Sequence, residues 1–474
     1  MLTLLNQTPE TNRRRLLQAA GAGMLGINLP QVLEAVDNNL GDAPSPTAKN
    51  VIFMHLFGGP SQLETFDMKP EAPSEIRGPF KPTPCLTDGL LVCEHLPNIA
   101  KITDKITVVK TMTHDFNDHS GAGHYVQTGH RWHVPIGGGF NVTPQDWPAI
   151  GSVAKYFDQR RGLINEAPTY AVLPNALGSL QQKGDIARPG ETAGWLGGAY
   201  APVVTGINKT SETDNPFWRV CTDEELQFSI KGLTPQDGMT IGRFNSRAQL
   251  LDRINAQQRM LRELDRTRVF DKYRSRALEL VLSDKAREAF DVTKEAPKTR
   301  DNYGRHLYGQ SALVARRLIE AGTRFVTVQY DCVDGYSWDS HRNSDDVKEH
   351  LLPTFDQAFA ALVNDLDDRG LLDDTLIVVM GEMGRTPKAN NSWGRNHWST
   401  LFPAVLAGGG VKRGYVYGET DKHAAYATAH PVSPEDMAAT IFTALGINPS
   451  WQIQDAIGRP HQLTSGKPVL DLFI

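Results

Sequence analysis

Cysteine is scarce in this chain, with only Cys85, Cys93, Cys221 and Cys332 among 474 residues. No pair has zinc-ribbon spacing, and four thiols cannot frame a chain of this length, so neither a disulfide scaffold nor cysteine chemistry organises it. Cys85 and Cys93 are near enough to close a small loop in an oxidising compartment. An excess of one charge is also lacking. Against 49 Lys and Arg stand 54 Asp and Glu, a net charge of -5. That gives no electrostatic case for a nucleic-acid partner or an anionic membrane surface. No apolar run is long enough for a stable membrane span, and there is no internal repeat or low-complexity block. What remains is 40% hydrophobic and 22% charged, the composition of a soluble globular protein with room for one large α/β domain or two ordinary ones.

The N-terminus reads as a targeting segment rather than part of the fold. Asn12-Arg13-Arg14-Arg15-Leu16-Leu17 carries a double arginine, and a mild Ala- and Gly-rich apolar stretch follows to Leu29. This is the pattern of twin-arginine signals, which export folded proteins. Residues 1–35 are therefore expected to be the signal, with the twin-arginine export machinery as a partner and the periplasm as the destination. Residues 36–474 form the expected single domain.

The stretch that organises the domain is Leu376-Ile-Val-Val-Met380, short and β-branched enough for a strand buried on both faces. It stops at Gly381, and Glu382 and Arg385 follow at once, with His397 returning after a loop. Ligands of open α/β sheets bind at the carboxyl ends of parallel strands, where such residues collect. The plain alternative is a structural ion pair beside a satisfied histidine. Two other strand ends are polar in the same way. Lys105–Lys110 leads into a segment holding His119, Ser120 and His124, and Arg324–Tyr330 leads to Asp334, Asp339 and His341. Strands alternating with helices imply a parallel sheet whose ends share one edge, so these clusters should converge.

Five histidines, His114, His119, His124, His130 and His133, fall within twenty residues. Ser120 opens a small-residue helix there, where the dipole and free N–H groups favour an anion. It is either a nucleophile near a metal or a simple helix cap. Carboxylate and imidazole side chains together suit zinc, iron or manganese. The first strand, Asn50–Phe57, ends in Gly58-Gly59-Pro60, a tight turn whose N–H groups can face a ligand. By contrast, residues of about 205–300 show apolar positions at helical spacing among charges, a helical insertion with no catalytic signature.

These motifs, in this order, resemble the alkaline phosphatase-like superfamily, and more narrowly the sulfatase-like, twin-arginine-exported family catalogued as domain of unknown function 1501. The residues that carry the resemblance are Gly58-Gly-Pro-Ser-Gln62 with Thr65-Phe-Asp67, Trp338-Asp-Ser-His341, Gly381-Glu-Met-Gly-Arg-Thr-Pro387, Gly394-Arg-Asn-His-Trp398 and Pro434-Glu-Asp-Met-Ala-Ala-Thr-Ile441. It implies an alkaline phosphatase-like α/β/α sandwich with a mostly parallel central sheet. It also implies phosphoryl or sulfuryl transfer with a hydroxyl nucleophile activated by metal. On that reading Ser120 is the nucleophile and Arg385 stabilises charge on the ester oxygens. Asp334, Asp339, His341, Glu382 and His397, with His119 and His124, hold a divalent ion: zinc, manganese, iron or calcium. The substrate would be a small-molecule or glycan phosphate or sulfate ester.

The departures are as informative. Gly58 and Gly59 stand where the superfamily places an acidic ligand, and Met383 stands where it places a histidine. Asp67, His119 or His55 are the residues available as substitutes. The Cys/Ser-x-Pro-x-Arg segment that yields formylglycine is missing. The expected activity is therefore an ester hydrolase or transferase with a mononuclear or atypical dinuclear site. A binding or assembly protein that keeps the fold with an incomplete metal site is the competing expectation.

Overall fold

The structure is a computed structural model and describes residues 43–139, 141–163, 167–174, 188–207, 214–230, 284–330, 338–455 and 457–474. The double-arginine segment, Asp334, Cys332 and most of the expected helical insertion lie outside these residues. At the end of the insertion, helices Asp284–Phe290 and Pro297–Tyr303 are described. Residues Pro44–Ile474 cluster as one unit.

Among the described residues nine strands form the central sheet: β1 (Asn50–His55), β2 (Ile106–Met112), β3 (Tyr170–Leu173), β4 (Val203–Gly206), β5 (Ser229–Ile230), β6 (Phe325–Gln329), β7 (Thr375–Met380), β8 (Phe402–Ala407) and β9 (Tyr415–Tyr417). Their order across the sheet is β9-β2-β8-β7-β1-β6-β3-β4-β5. The block β7-β1-β6-β3-β4 is parallel throughout, and β8 runs antiparallel to both its neighbours. Because β8 is inverted between them, β2 and β7 point the same way. Pro403 has no N–H to give the sheet, and the pairing of β8 with β2 shifts register between Phe402 and Ala404. The expected mixed α/β sheet, large and mostly parallel, is what the chain forms.

Strand β7 is buried at every residue, as its unbroken apolar run requires when both faces are covered. One layer holds α1 (His119–Thr128), α2 (Ile150–Arg160) and the late helix Pro434–Ala444, which touches both of the others. On the other side Leu307–Glu320 and Leu352–Asp368 pack together. Their apolar residues join Ile52, Met54, Val326, Val328, Ile377 and Val379 in one core. The period-two alternation of β1 then turns Phe53 and His55 away from that core. Cys85 and Cys93 are both free thiols, so the small loop between them is not closed by a bridge.

Candidate metal centre

Three carboxyl ends share one edge of the sheet, and each delivers part of a cluster. From β2 the chain passes through Asn117 to Asp118, whose side chain accepts the Gly121 N–H at 2.9 Å and starts α1. Asp118 is therefore the helix cap, which leaves Ser120 inside the first turn. His119 is the first helical residue. Beyond β6, Asp339 and His341 lie in a segment stitched to the loop after β7: Arg395 N–H donates to Ser340 O at 3.0 Å, and the Asn390 amide donates to His341 O at 2.9 Å. Beyond β7, a small antiparallel ribbon sets Arg385 opposite His397.

These segments converge on Asp339. Its Oδ1 lies 3.0 Å from His341 Nε2, 3.2 Å from His119 Nε2 and 3.3 Å from His397 Nε2. The Nε2 atoms of His341 and His397 are 2.9 Å apart. Ligand atoms of His119, Asp339 and His397 all lie within 4.8 Å of one another, the one such trio found among the described residues. Behind each ring stands an oxygen. His119 Nδ1 is 2.5 Å from Glu382 Oε1, His397 Nδ1 is 2.8 Å from Asn117 O, and His341 Nδ1 is 3.0 Å from Asn396 Oδ1. A carboxylate or carbonyl can only accept, so the neutral rings carry their proton on Nδ1 and turn an Nε2 lone pair inward.

Lone pairs and a carboxylate oxygen facing one another repel unless a proton or a metal cation lies between them. Four donors around tetrahedral zinc at the usual 2.0–2.1 Å would sit roughly 3.3 Å from each other, close to the spacing seen here. His119 Nε2 is buried and faces Asp339 Oδ1 at 3.2 Å. The donor set fits a divalent ion that accepts imidazole. Burial opposes a charge on His119, but Asp339 and Glu382 outweigh it and raise its pKa to about 9. Burial likewise works against the Asp339 charge, and the three histidines overcome it, holding the carboxyl far below its ordinary range. The cluster thus draws positive charge.

Several expected residues serve differently. Glu382 is fully buried, and both its oxygens accept the Gly58 N–H, at 2.8 and 3.1 Å. It orients His119 from behind, the carboxylate–histidine arrangement that fixes a ring and raises its basicity. The turn after β1 therefore spends its N–H on Glu382 instead of an outside ligand. Gly58 adopts φ +114°, and a Cβ there would come within 2.6 Å of Asp339 N, so only glycine permits this approach. Arg385 is wholly buried. Its guanidinium donates to the carbonyls of Gly58, Gly59 and Arg395 and to Asp339 Oδ1, so it ties the turn to Asp339 rather than facing an open space.

The structure does not bring His124 to the cluster. Its Nδ1 meets His130 O at 2.9 Å and its Nε2 accepts the Trp147 N–H at 3.2 Å. Nor is Asp67 a substitute ligand, being paired with Lys69 at 2.9 Å and Lys110 at 3.5 Å. His55 lies beside the centre, with Nδ1 2.9 Å from Gln329 Oε1 and Nε2 3.9 Å from Glu382 Oε2. Met383 packs with Phe116, Ala122 and Tyr125, so an apolar group fills the place where the resemblance called for histidine. Ser120 is 1% exposed, and its Oγ makes no hydrogen bond. Asp334 lies outside the described residues. A cavity of about 900 Å³ opens at the other helical layer beside Asn98, Tyr303 and Asp356, away from these ligands.

The family model described as "Protein of unknown function (DUF1501)" matches residues 48–473. The chain belongs to that family. No curated protein matches this DUF1501 chain. Among solved structures it is similar to Ps i-CgsB in complex with k-i-k-neocarrahexaose, at 13% identity and TM-score 0.40 over 86% of this chain and 73% of that one. Another is the PsFucS1 sulfatase from Pseudoalteromonas sp., at 12% identity and TM-score 0.37 over 89% and 72%. A third is the alkaline phosphatase from the Antarctic bacterium TAB5, at 15% identity and TM-score 0.32 over 77% and 92%. Two residues of the DUF1501 site gave no sign in the sequence. Asn117 and Asn396 aim His397 and His341, yet each looks like an ordinary loop asparagine.

Proposed function

We propose that this protein is an exported, metal-dependent hydrolase of phosphate or sulfate esters, carried by small molecules or glycans. The observation that supports it is the convergence of His119, His341 and His397 on Asp339 beside the first turn of α1. Three imidazoles and one carboxylate favour zinc, iron or manganese, and disfavour calcium, which takes oxygen ligands. When bound, such an ion supplies Lewis acidity toward the ester oxygens and lowers the pKa of a nearby hydroxyl.

The protein's own residues would do the rest. His119, His341, His397 and Asp339 hold the ion. Glu382, Asn117 and Asn396 fix the rings, and Arg385 fixes Asp339 and the Gly58-Gly59 turn. Ser120, next to a ligand and with its hydroxyl uncommitted, is the nucleophile in this reading. Its Oγ bonds to phosphorus or sulfur while its proton goes to the departing ester oxygen, which leaves as the alcohol; water then attacks the Ser120 ester, returns a proton to Oγ and releases the anion. Residues 1–35 would direct export, so replacing Arg13 and Arg14 together by lysine should leave the protein in the cytoplasm. Normal periplasmic accumulation of that variant would refute the signal.

Turnover of aryl phosphates and sulfates by protein loaded with zinc, manganese or iron tests the activity. Ser120→Ala should lose on the order of a hundredfold or more in kcat while keeping its metal. If wild-type protein turns over no ester on that panel, the hydrolase reading fails. The site would then be that of a binding protein whose superfamily ligands, at Gly58 and Met383, have lapsed.

A further inference from the structure

We propose that His114, one of the five clustered histidines and no ligand itself, is the positioning residue that sets Glu382 behind His119. This role rests on the metal-centre reading and is independent of ester hydrolysis. Glu382 lies between two hydrogen-bonded ladders and belongs to neither. Strand β7 last pairs at Met380, and the ribbon that sets Arg385 opposite His397 starts at Gly384. The His114 Nδ1 accepts the Phe116 N–H at 3.1 Å, so that nitrogen bears no proton. The neutral ring therefore carries its proton on Nε2, which donates to Glu382 O at 2.6 Å. This bond holds the main chain at the residue whose carboxylate lies 2.5 Å from His119 Nδ1.

The ring is placed from two sides. Phe402, at the start of β8, meets it edge to face with 5.3 Å between centroids, and Tyr125 of α1 lies tilted at 5.4 Å. The backbone of His114 is tied to the other flank of the centre. Its N–H donates to Ser399 O at 3.0 Å, and Ser399 Oγ donates back to His114 O at 3.0 Å. Ser399 is fully buried, and its own N–H donates to Asn117 Oδ1 at 2.8 Å. Asn117 in turn supplies the carbonyl behind His397. One residue just past β2 thus joins the segment that orients His119 to the ribbon that carries His397. A shift of Glu382 reaches the metal through the His119 ring, because the group behind a ligating histidine sets its orientation and basicity.

Zinc affinity of the full-length protein, measured by competition with a chelator, tests this with two variants that divide the ring's two contacts. An asparagine amide oxygen extends about as far as Nδ1, so it keeps an acceptor for the Phe116 N–H and puts no donor at Glu382 O. A glutamine amide nitrogen extends about as far as Nε2 and keeps the donor to Glu382 O. His114→Asn should weaken zinc binding about tenfold, the low end for a group behind a ligand, because His114 acts one step further out. His114→Gln should bind zinc much as wild type does. A bond that only stabilises the fold would move the denaturant midpoints of the metal-free variants and leave their zinc affinities equal. Equal affinity in the two, or the greater loss in His114→Gln, overturns the role and leaves the metal centre in place. A wild type that takes up no zinc overturns the centre and the role with it. Should either variant not fold, His114→Phe keeps a ring between Phe402 and Tyr125 without a donor, and wild-type affinity in that variant overturns the assignment.

Discussion

Helix α1 carries two histidines five residues apart, and they have opposite fates. His119 stands between two carboxylates, which raise its pKa to about 9 against the effect of burial. His124 meets two backbone groups and the Thr128 hydroxyl at its nitrogens, and burial pushes its pKa down to about 4, although nearby Asp146 works the other way. His124 is fully buried and His119 partly so, both come from one histidine-rich stretch, and an ideal helix turns them about 140° apart. A histidine becomes a ligand or a core residue through what its two nitrogens face. Its neighbours in sequence do not decide this.

The comparison can be broken most sharply at the residue behind His119. Glu382→Gln keeps the volume and removes the carboxylate that fixes the ring. Metal affinity should fall about ten- to a hundredfold, read by competition with a chelator, while the same measurement on a His124 variant should show no change. Equal affinity for Glu382→Gln and wild type would mean that Glu382 does not orient His119.

At the other end of the helix the effect should appear in stability alone. His124→Leu leaves the Trp147 N–H without its partner and takes one of two donors from the His130 carbonyl, at a cost of about 1–3 kcal/mol. Denaturant unfolding measures it. Metal stoichiometry should be that of wild type, and loss of the metal in this variant would erase the distinction between the two rings.

The smallest effect is a pH dependence. His124 and His130 are both lowered to about 4, chiefly by burial, from an unfolded value of about 6.5. The unfolded chain therefore binds more protons than the folded one below that value. Their contribution is fully present above pH of about 6.5 and declines as pH falls toward about 4. Unfolding free energies measured across that range should slope downward toward acid, less steeply in His124→Leu than in wild type. An unchanged slope would mean that His124 takes up its proton in the folded state.

Much of the fold could be read in the chain because its signals are local. The apolar run of β7 and the polar residues just past β2, β6 and β7 each report their own structure. The convergence at Asp339 followed from parallel strands sharing an edge. Side-chain direction was the part that spacing could not supply. Glu382 and Arg385 sit where ligands of this kind collect, yet one turns back to the Gly58 N–H and the other to the carbonyls of the same turn. Nothing in Gly58-Gly59 announces that its donor will be filled from within by a residue more than three hundred positions later.

Elemental analysis of the purified full-length protein bears most directly on the central claim. The account predicts one equivalent of zinc, iron or manganese per chain in wild type. It predicts almost none in His119→Ala, Asp339→Asn or His397→Ala, each folded by circular dichroism. Unchanged metal content in all three variants, or a wild type that neither retains nor takes up a divalent ion, would contradict it.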